Sequence, residues 1–332
     1  MDKFLIVRKS SLGDIIHTLP AFAALRKGFR GARITWVVER PGKEILNLVP
    51  GIDEIVVLGE KGWIRKIRDK DRIAFDFQGL IKSALIARLS GARKRIGFSA
   101  QNLREPAAAL FYTDRLEGFA EDGHVIAKNL KLLSKLGLDA GKKEYEFPIL
   151  IPESIERTVQ NALAGLGLRS GQGIVVCNVG AAWESKRWAA ERWIEFFFLS
   201  KNRREDFFYL LLWGNALEKE SALRIGAATG TPVAPFFTIP EVLALIKGSR
   251  LLISSDTFAL QAACALDIPV VGIFGPTNPV RNGPFRARDR AAIFPTDCYP
   301  CYKRTCPSAK CMNAVEAGVV AGLVQEILGN NG

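Results

Sequence analysis

The fold of this chain is decided near its amino terminus, where residues 4–20 read FLIVRKSSLGDIIHTLP. The apolar run 4–7 predicts a short buried strand, and Ile15, Ile16 and Leu19 recur at the spacing of one helix face. A strand, a loop of small residues and a helix make the first unit of an open α/β sheet. Ligands of such sheets bind beyond the carboxyl ends of the strands, so we expect this loop at the edge of a cleft.

One carboxylate, Asp14, stands at the start of the predicted helix. The positive end of the helix dipole favours its ionised form there. An ionised carboxylate at a cleft edge can accept a proton from a substrate, and the same side chain can also cap its own helix. The local sequence leaves both interpretations, general base and helix cap, open.

Length and composition indicate two domains. The chain has 332 residues, of which 48% are hydrophobic, enough for two proper cores. No apolar run approaches the roughly 20 residues that cross a bilayer, and the apolar segment at the amino terminus lacks the layout of a signal peptide. We therefore expect a cytoplasmic protein.

The positive charge of the chain is concentrated in its first half. The formal net charge is +12, and residues 1–150 hold 27 Lys and Arg against 18 Asp and Glu. Residues 61–104 alone hold 12 basic and three acidic residues. A basic face of this kind suits nucleic acid, an anionic membrane surface or an acidic small molecule, although many charged runs are only solvated surface.

Apolar runs alternate with helical patterns through both halves, which predicts a mainly parallel, doubly wound sheet in each. We expect a first Rossmann-like domain over residues 1–150, a second over 151–314 and a carboxyl-terminal helix within 315–332. A cleft between two such domains is the natural place for a ligand.

Several chemistries are excluded by missing motifs. No GxGxxG follows the first strand and no GxxxxGK[ST] occurs, which argues against dinucleotide-dependent redox and P-loop chemistry. Neither HExxH nor a Ser-His-Asp order emerges. Loops at strand ends that bind anions remain.

The second half contains two such loops. Ser255-Asp256-Thr257 opens a predicted helix, where free backbone amides and the helix dipole favour a phosphate. Ser185 and Lys186 precede another helix, and Lys186 could reach the same anion as a mobile charge. The plainer alternatives are that Asp256 or Thr257 caps its helix and that Lys186 is a solvated surface lysine.

Glu218 follows Gly214 by four residues at the start of a further helix. A carboxylate there can accept hydrogen bonds from both ribose hydroxyls, and it can equally be an ordinary acid at a helix start. Together these loops predict a bound nucleotide diphosphate in the second half, facing Asp14 on the first. A nucleotide sugar fits this arrangement, with Asp14 as base for an incoming hydroxyl and Lys186 and helix amides, without a metal ion, at the leaving group.

The chain has six cysteines. Cys177 and Cys264 stand in apolar contexts, which predicts buried and inert thiols. The other four follow the pattern Cys-x₂-Cys-x₄-Cys-x₄-Cys, namely Cys298, Cys301, Cys306 and Cys311. This spacing allows a metal site or a redox-sensitive staple, but it has only one metal-like Cys-x₂-Cys, and local packing is the plainer explanation.

These pieces, in this order and spacing, resemble the bacterial heptosyltransferases of glycosyltransferase family nine over nearly the whole chain. The matching segments are 9–14 with 17–20, 77–83, 103–106 with 110–112, 180–181 with 186–188, 213–214 with Glu218, 255–257 and 274–277. The resemblance implies a GT-B fold, in which two Rossmann-like domains face each other across a cleft and the last helix packs back toward the first domain.

The resemblance also implies an inverting, metal-independent and cofactor-free transfer of heptose from ADP-heptose to the Kdo-lipid A inner core of lipopolysaccharide. The enzyme would be peripheral to the cytoplasmic face of the inner membrane and would not bind nucleic acid. The resemblance assigns the role of general base to Asp14 and the role of catalytic, phosphate-binding lysine to Lys186. The implied donor-binding residues are Ser185, Lys186, Gly214, Glu218, Ser255, Asp256, Thr257 and Gln261. The implied acceptor-binding residues are Ser10, Ser11, Gly13, His17, Gln78, Lys82 and Arg104.

The sequence departs from the family pattern at two positions in the helix predicted after Ser255-Asp256-Thr257. Phe258 stands where the family has glycine, and Gln261 stands where it has histidine. A phenylalanine there crowds a diphosphate unless it points into the core, and glutamine supplies only a neutral hydrogen bond. The alternatives are therefore a family member with another donor or acceptor and a non-catalytic protein that binds a nucleotide sugar or glycolipid. Binding of nucleic acid through the basic face is disfavoured because no binding motif accompanies the charge.

Overall fold

The computed structural model describes residues 2–138, 145–200 and 206–329. The chain divides into two compact units, Met1–Leu150 and Ile151–Gly332. Within the described ranges, no helix is long and apolar enough to cross a membrane.

The first unit is a parallel sheet with helices on its faces. Its strands are β1 Lys3–Val7, β2 Arg33–Val38, β3 Glu54–Val57, β4 Ile73–Asp76, β5 Lys94–Gly97 and β6 Asp114–Arg115. Its helices are α1 Leu12–Ile16, α2 Leu19–Gly28, α3 Arg40–Leu46, α4 Trp63–Ile67, α5 Ile81–Leu89 and α6 Val125–Lys131, with 3₁₀ helices at Ala100–Asn102, Pro106–Phe111 and Leu132–Leu136. The strand order is β3-β2-β1-β4-β5-β6, so β1 lies in the interior of the sheet.

The predicted apolar strand at the amino terminus is β1, whose residues 4–7 are fully buried. Because helices cover both faces of a parallel sheet, its central strands are continuous apolar runs without alternation. The strand ends at Val7, and the loop that follows leads into α1. The strand and the loop are confirmed, whereas the predicted helix is divided into α1 and α2 by a turn at His17 and Thr18, so that Leu19 belongs to α2.

The second unit repeats the same plan. Its strands are β7 Gly173–Asn178, β8 Phe207–Leu212, β9 Leu251–Ser255, β10 Val270–Phe274 and β11 Arg290–Ile293, in the order β11-β10-β9-β7-β8. Its helices are α7 Glu153–Gly165, α8 Ala190–Leu199, α9 Ala216–Thr229, α10 Ile239–Lys247, α11 Phe258–Ala265, α12 Pro279–Asn282, α13 Lys310–Asn313 and α14 Ala317–Gly329, with a 3₁₀ helix at Glu184–Lys186. The last helix, α14, packs against α8, β10 and β11.

The structure differs from the predicted elements in two further places. Over residues 124–136, whose pattern favours one long helix, the chain forms α6 followed by a 3₁₀ helix, where the Ser134 hydroxyl donates to the Lys131 carbonyl within the tighter turn. Helices α7 and α10 were not predicted. Helix α10 did carry a signal, because Thr238 and Glu241 have the spacing of a capping box and form one.

Candidate active site

Asp14 lies in the first turn of α1, at the carboxyl edge of the first sheet. Its side chain is 35% exposed. The carboxylate oxygen Oδ2 accepts hydrogen bonds from the Ser11 backbone nitrogen at 3.2 Å and from Ser11 Oγ at 2.9 Å. Ser11 is the N-cap residue of α1, and Asp14 completes a capping box with it from the third helical position, so Asp14 stabilises its own helix without being the N-cap.

The other oxygen of Asp14 is held by Arg8, a buried residue immediately after β1. Arg8 Nη2 lies 2.8 Å from Asp14 Oδ1, and Arg8 Nη1 donates to the Phe77 carbonyl at 2.5 Å. Burial by itself would raise the pKa of Asp14, but Arg8, His17 and the hydrogen bonds from Ser11 outweigh it and lower the pKa below its usual value. Asp14 is therefore ionised at neutral pH, as a proton acceptor must be.

Arg8 reaches the loop after β4 because of the register of the central strands. Val7 is paired with Asp76, so the residues that follow β1 and β4 stand side by side. Gln78 closes the same contact from the other side, since its Oε1 accepts a hydrogen bond from the Lys9 backbone at 3.0 Å. Motif spacing does not reveal which strands are neighbours, and the sequence therefore gave no reason to single out Arg8.

A second carboxylate that sequence reasoning missed is Asp76, which is fully buried at the end of β4. Its Oδ1 accepts from the backbone nitrogens of Gln78 and Gly79 at 2.9 and 3.0 Å. Its Oδ2 accepts from Ser83 Oγ at 2.8 Å and from the Tyr112 hydroxyl at 2.7 Å. Burial raises the pKa of Asp76, and these four donors oppose the rise. Asp76 thus fixes the turn after β4, in which Gly79 has a φ of +69° that favours glycine.

The other residues predicted on the acceptor side differ in exposure. Lys82, Arg104 and Ser11 are exposed, Ser10 is half-buried, and Gly13 and His17 are buried. The His17 ring packs edge-on against His124 with 5.3 Å between centroids. The exposed cations are accessible to an anionic ligand, whereas His17 supports the loop from inside the unit.

In the second unit the structure brings Lys186 and Asp256 together. Lys186 Nζ lies 2.7 Å from Asp256 Oδ2 and donates to the Asp256 carbonyl at 3.1 Å. The two side chains are only 13% and 6% exposed. The ammonium also lies 4.3 Å from the centroid of the Trp183 ring. Lys186 is therefore an ordered cation in a nearly closed site, not a solvated surface lysine.

The two departures at the start of α11 have different environments. Gln261 is buried, and its Nε2 donates to the Asn282 carbonyl at 2.6 Å and lies 3.4 Å from Asp256 Oδ1. The side chain at this position therefore contacts Asp256 as a neutral donor. Phe258 is the first residue of α11 and is half-buried.

Glu218 is held against the backbone of two strand-end loops. Its Oε2 accepts from the Gly214 nitrogen at 2.7 Å, and its own backbone nitrogen donates to Asn215 Oδ1, the cap of α9. A Cβ on Gly180 would lie 2.2 Å from the Glu218 carboxyl, so the close approach requires glycine there. Glu218 is thus both a helix-start acid and a carboxylate fixed at the carboxyl edge of the sheet.

The hydroxyl groups of this region are engaged as well. Thr257 is the N-cap residue of α11, and its Oγ1 lies 3.1 Å from Asn178 Nδ2 and 2.9 Å from Ser254 Oγ. Asn178, which sequence reasoning missed, ties the end of β7 to the end of β9. Ser255 is buried, and Ser185 Oγ donates to the Lys303 carbonyl at 2.5 Å.

The cysteine-rich loop lies beside the Lys186 loop through that last contact. Its thiols are free: Cys298 is exposed, Cys301 and Cys306 are half-buried, and Cys311 is buried. Among the described residues, no three His, Cys, Asp or Glu side chains are grouped so that they could hold a metal ion. Burial raises the pKa of Cys311, whereas hydrogen bonds from Ser308 lower that of Cys306.

A family model matches residues 63–312 of this chain, and its description is glycosyltransferase family 9 (heptosyltransferase). The chain belongs to that family, and the protein is a glycosyltransferase. Its two Rossmann-like units are those of the GT-B fold, so the predicted fold class is confirmed.

Individual relatives agree with the family. The chain is 29% identical over 326 aligned residues to lipopolysaccharide heptosyltransferase 1 of Pseudomonas aeruginosa, covering 92% of this chain and 87% of the relative. The structure of E. coli heptosyltransferase WaaC with ADP-2-deoxy-2-fluoro heptose superposes with a TM-score of 0.76 at 23% identity, covering 99% of this chain and 100% of WaaC. A family 9 glycosyltransferase from Veillonella parvula superposes with a TM-score of 0.81 at 21% identity, covering 99% and 97% of the two chains.

Proposed function

We propose that this protein is an inverting, metal-independent heptosyltransferase that moves heptose from ADP-heptose to the Kdo-lipid A inner core of lipopolysaccharide. The observation that carries the proposal is the carboxylate of Asp14, which Arg8 keeps ionised at the carboxyl edge of the first sheet. A carboxylate held in this state accepts the proton of an attacking hydroxyl. The first unit is thereby assigned the acceptor and the second unit the donor.

The donor site follows from the arrangement of the second unit. Lys186 exchanges its Asp256 partner for the diphosphate, and the backbone amides at the start of α11 add further donors. Glu218, already fixed by the Gly214 amide, offers its other oxygen to the ribose hydroxyls. The relative whose structure is described with ADP-2-deoxy-2-fluoro heptose supports this assignment of an ADP sugar.

The transfer is a single displacement. The Kdo hydroxyl oxygen forms a bond to the anomeric carbon of heptose while its proton passes to Asp14. The bond from that carbon to the β-phosphate oxygen breaks, and its electron pair leaves with ADP. Attack from the face opposite the leaving group inverts the anomeric configuration. Lys186 and the amides of α11 meet the charge that develops on the diphosphate.

The acceptor is assigned from charge. Kdo carboxylates and lipid A phosphates are attracted by a first unit with an excess of nine basic residues, the difference between 27 and 18, and by the exposed cations Lys82 and Arg104. Ser10, Ser11, Gly13, His17 and Gln78 form or support the loop that presents the acceptor to Asp14. We place the reaction at the cytoplasmic face of the inner membrane, where a lipid-anchored acceptor requires a peripheral enzyme.

The test is incubation of the purified protein with ADP-heptose and Kdo-lipid A, followed by mass analysis of the lipid and assignment of the new anomeric linkage by NMR. The expected product carries one added heptosyl residue with inverted configuration, in the presence of a metal chelator as in its absence. A rate abolished by the chelator and restored by a divalent cation would contradict metal independence.

The same assay with other ADP and nucleotide sugars tests the donor, because Gln261 places a neutral amide beside Asp256. Faster turnover with another nucleotide sugar would leave the glycosyltransferase activity as proposed and change only the identity of its donor. ADP-heptose binding without transfer to any Kdo acceptor would favour the non-catalytic alternative.

A further inference from the structure

Helix α5 in the first unit has large apolar side chains on its exposed face. Its residues Ser83, Ala84, Ile86 and Ala87 are buried against the sheet. On the opposite side Ile81 and Leu85, one turn apart, are 41% and 42% exposed. Large apolar side chains that stay exposed opposite the buried face of a helix suit contact with another apolar phase.

The 3₁₀ helix Pro106–Phe111 lies beside α5 and carries a further exposed apolar side chain. It packs against α5, and the Glu105 carboxylate just before it accepts a hydrogen bond from the Ile81 backbone at 2.7 Å. Leu110, on this 3₁₀ helix, is 81% exposed, the largest exposure among the large apolar side chains of the described residues. Exposed apolar side chains gathered in this way mark an interaction surface.

Cations surround these side chains. Lys82 and Arg88 flank Ile81 and Leu85 on α5, and exposed Arg104 precedes the 3₁₀ helix. Helix α5 has no acidic residue, and Glu105 is already engaged at its first turn. We call Ile81, Lys82, Leu85, Arg88, Arg104 and Leu110 the α5 face.

Helix α4 continues the same character. Its buried Ile67 belongs to the hydrophobic cluster that includes Ile86 and Ala87 of α5, so both helices cover the same side of the sheet. The exposed residues of α4 are Ile64, Arg65 and Lys66, again apolar and basic without an acid. The apolar and basic pattern therefore extends beyond one helix.

We propose that the α5 face docks the enzyme on an anionic lipid bilayer, with Ile81, Leu85 and Leu110 among the lipid headgroups and its cations on lipid phosphates. The combination matches interfacial binding, in which apolar side chains enter the headgroup region and Lys and Arg pair with anionic lipids. The inference rests on the proposed function in one respect: a lipid-anchored acceptor gives the docking its purpose. Charge selects the bilayer over a second copy of the chain, because two copies of this basic face repel each other.

Vesicle sedimentation tests the proposal with the full-length protein. Wild-type protein should bind vesicles of phosphatidylcholine mixed with phosphatidylglycerol and should not bind phosphatidylcholine alone. The double variant Leu85→Ser/Leu110→Ser should bind the mixed vesicles at least about tenfold more weakly, because it removes two apolar anchors. Arg88→Gln should weaken binding most at low salt. Leu217→Ser/Leu223→Ser, which changes two exposed leucines of the second unit, is the matched control and should bind like wild type.

Transfer to a water-soluble, deacylated Kdo acceptor separates this inference from the proposed function. Leu85→Ser/Leu110→Ser should retain wild-type turnover on that acceptor and lose turnover on acceptor embedded in vesicles. Vesicle binding that is equal in the variant, the control and wild type would overturn the docking face even if transfer is normal. Anchor-dependent binding without any transfer would support the docking face and refute the proposed function. A wild-type dimer that the double variant dissociates, with vesicle binding unchanged, would identify a self-interface and overturn the proposal.

Discussion

Replacing Lys186 by methionine leaves the Asp256 carboxylate buried without its cation. The two groups lie 2.7 Å apart, and their side chains are 13% and 6% exposed. After the change, Gln261 Nε2 remains 3.4 Å from Asp256 Oδ1 as a neutral donor. The variant therefore tests two roles of Lys186, as partner of Asp256 and as ligand of the diphosphate.

Loss of the two roles should have effects of different size, and a second substitution at Asp256 should reverse only one of them. Breaking a buried pair from one side costs about 3–5 kcal/mol of unfolding free energy, which lowers Tm by roughly 6–20 °C in a domain of this size. The double variant Lys186→Met/Asp256→Asn removes both charges and should recover most of that loss. The proposed contact of Lys186 with the diphosphate would be a separate, charge-assisted bond worth about 1.5–3 kcal/mol, so ADP affinity should fall by roughly 10–150-fold in both variants.

Calorimetry of unfolding and titration with ADP measure the two effects on the same samples. Lys247→Met is the matched control, since Lys247 pairs with Glu156 at 2.7 Å in a more exposed setting. It should cost less than about 1 kcal/mol and leave ADP affinity unchanged. Recovery of wild-type ADP affinity in Lys186→Met/Asp256→Asn would refute the donor role and reduce Lys186 to the ion pair.

Arg8→Gln removes the cation that lowers the pKa of Asp14. Because the pKa of Asp14 then rises, the acidic limb of the pH profile of kcat/KM should move to higher pH. An acidic limb that does not move would show that Asp14 does not govern the rate. Asp76→Asn should cost about 1–3 kcal/mol of stability and raise the KM for the acceptor while the Kd for ADP is unchanged. Tyr112→Phe should give a smaller effect in the same direction. A matching loss of ADP affinity would argue against a role of Asp76 confined to the first unit. Glu218→Gln should weaken ADP about tenfold and abolish the preference for ADP over its 2′,3′-dideoxy analogue, and a retained preference would exclude the ribose contact.

The sequence alone was sufficient for the plan of the fold and for the loops that carry polar groups. Buried parallel strands are continuous apolar runs, so β1 could be predicted from residues 4–7, and α11 could be predicted after Ser255-Asp256-Thr257. The carboxyl ends of such strands collect at one edge of their sheet. Lys186 and Asp256, from two different loops of the second unit, accordingly meet there.

The partners of these groups could not be predicted, because they depend on strand order and register. Arg8 contacts the loop after β4 only because Val7 is paired with Asp76. Neither this strand pairing nor the resulting contact of Arg8 is encoded in a local sequence pattern. Asp76 itself belongs to the apolar run of β4, where spacing cannot distinguish a buried hydrogen-bonded carboxylate from a surface one. Asn178, at the end of β7, was not predicted as a site residue for the same reason, because local spacing does not reveal its hydrogen-bond partners.

Single-turnover transfer by Asp14→Asn tests the proposed role of Asp14 as the general base of heptosyl transfer. Asparagine is nearly the same shape and can still accept a hydrogen bond from Arg8, but it cannot take up the acceptor proton. With ADP-heptose saturating and Kdo-lipid A as acceptor, we predict unchanged ADP affinity and a transfer rate lower by about 10²–10⁴-fold. A variant that folds, binds ADP and transfers heptose at a near-normal rate would show that Asp14 is not the general base.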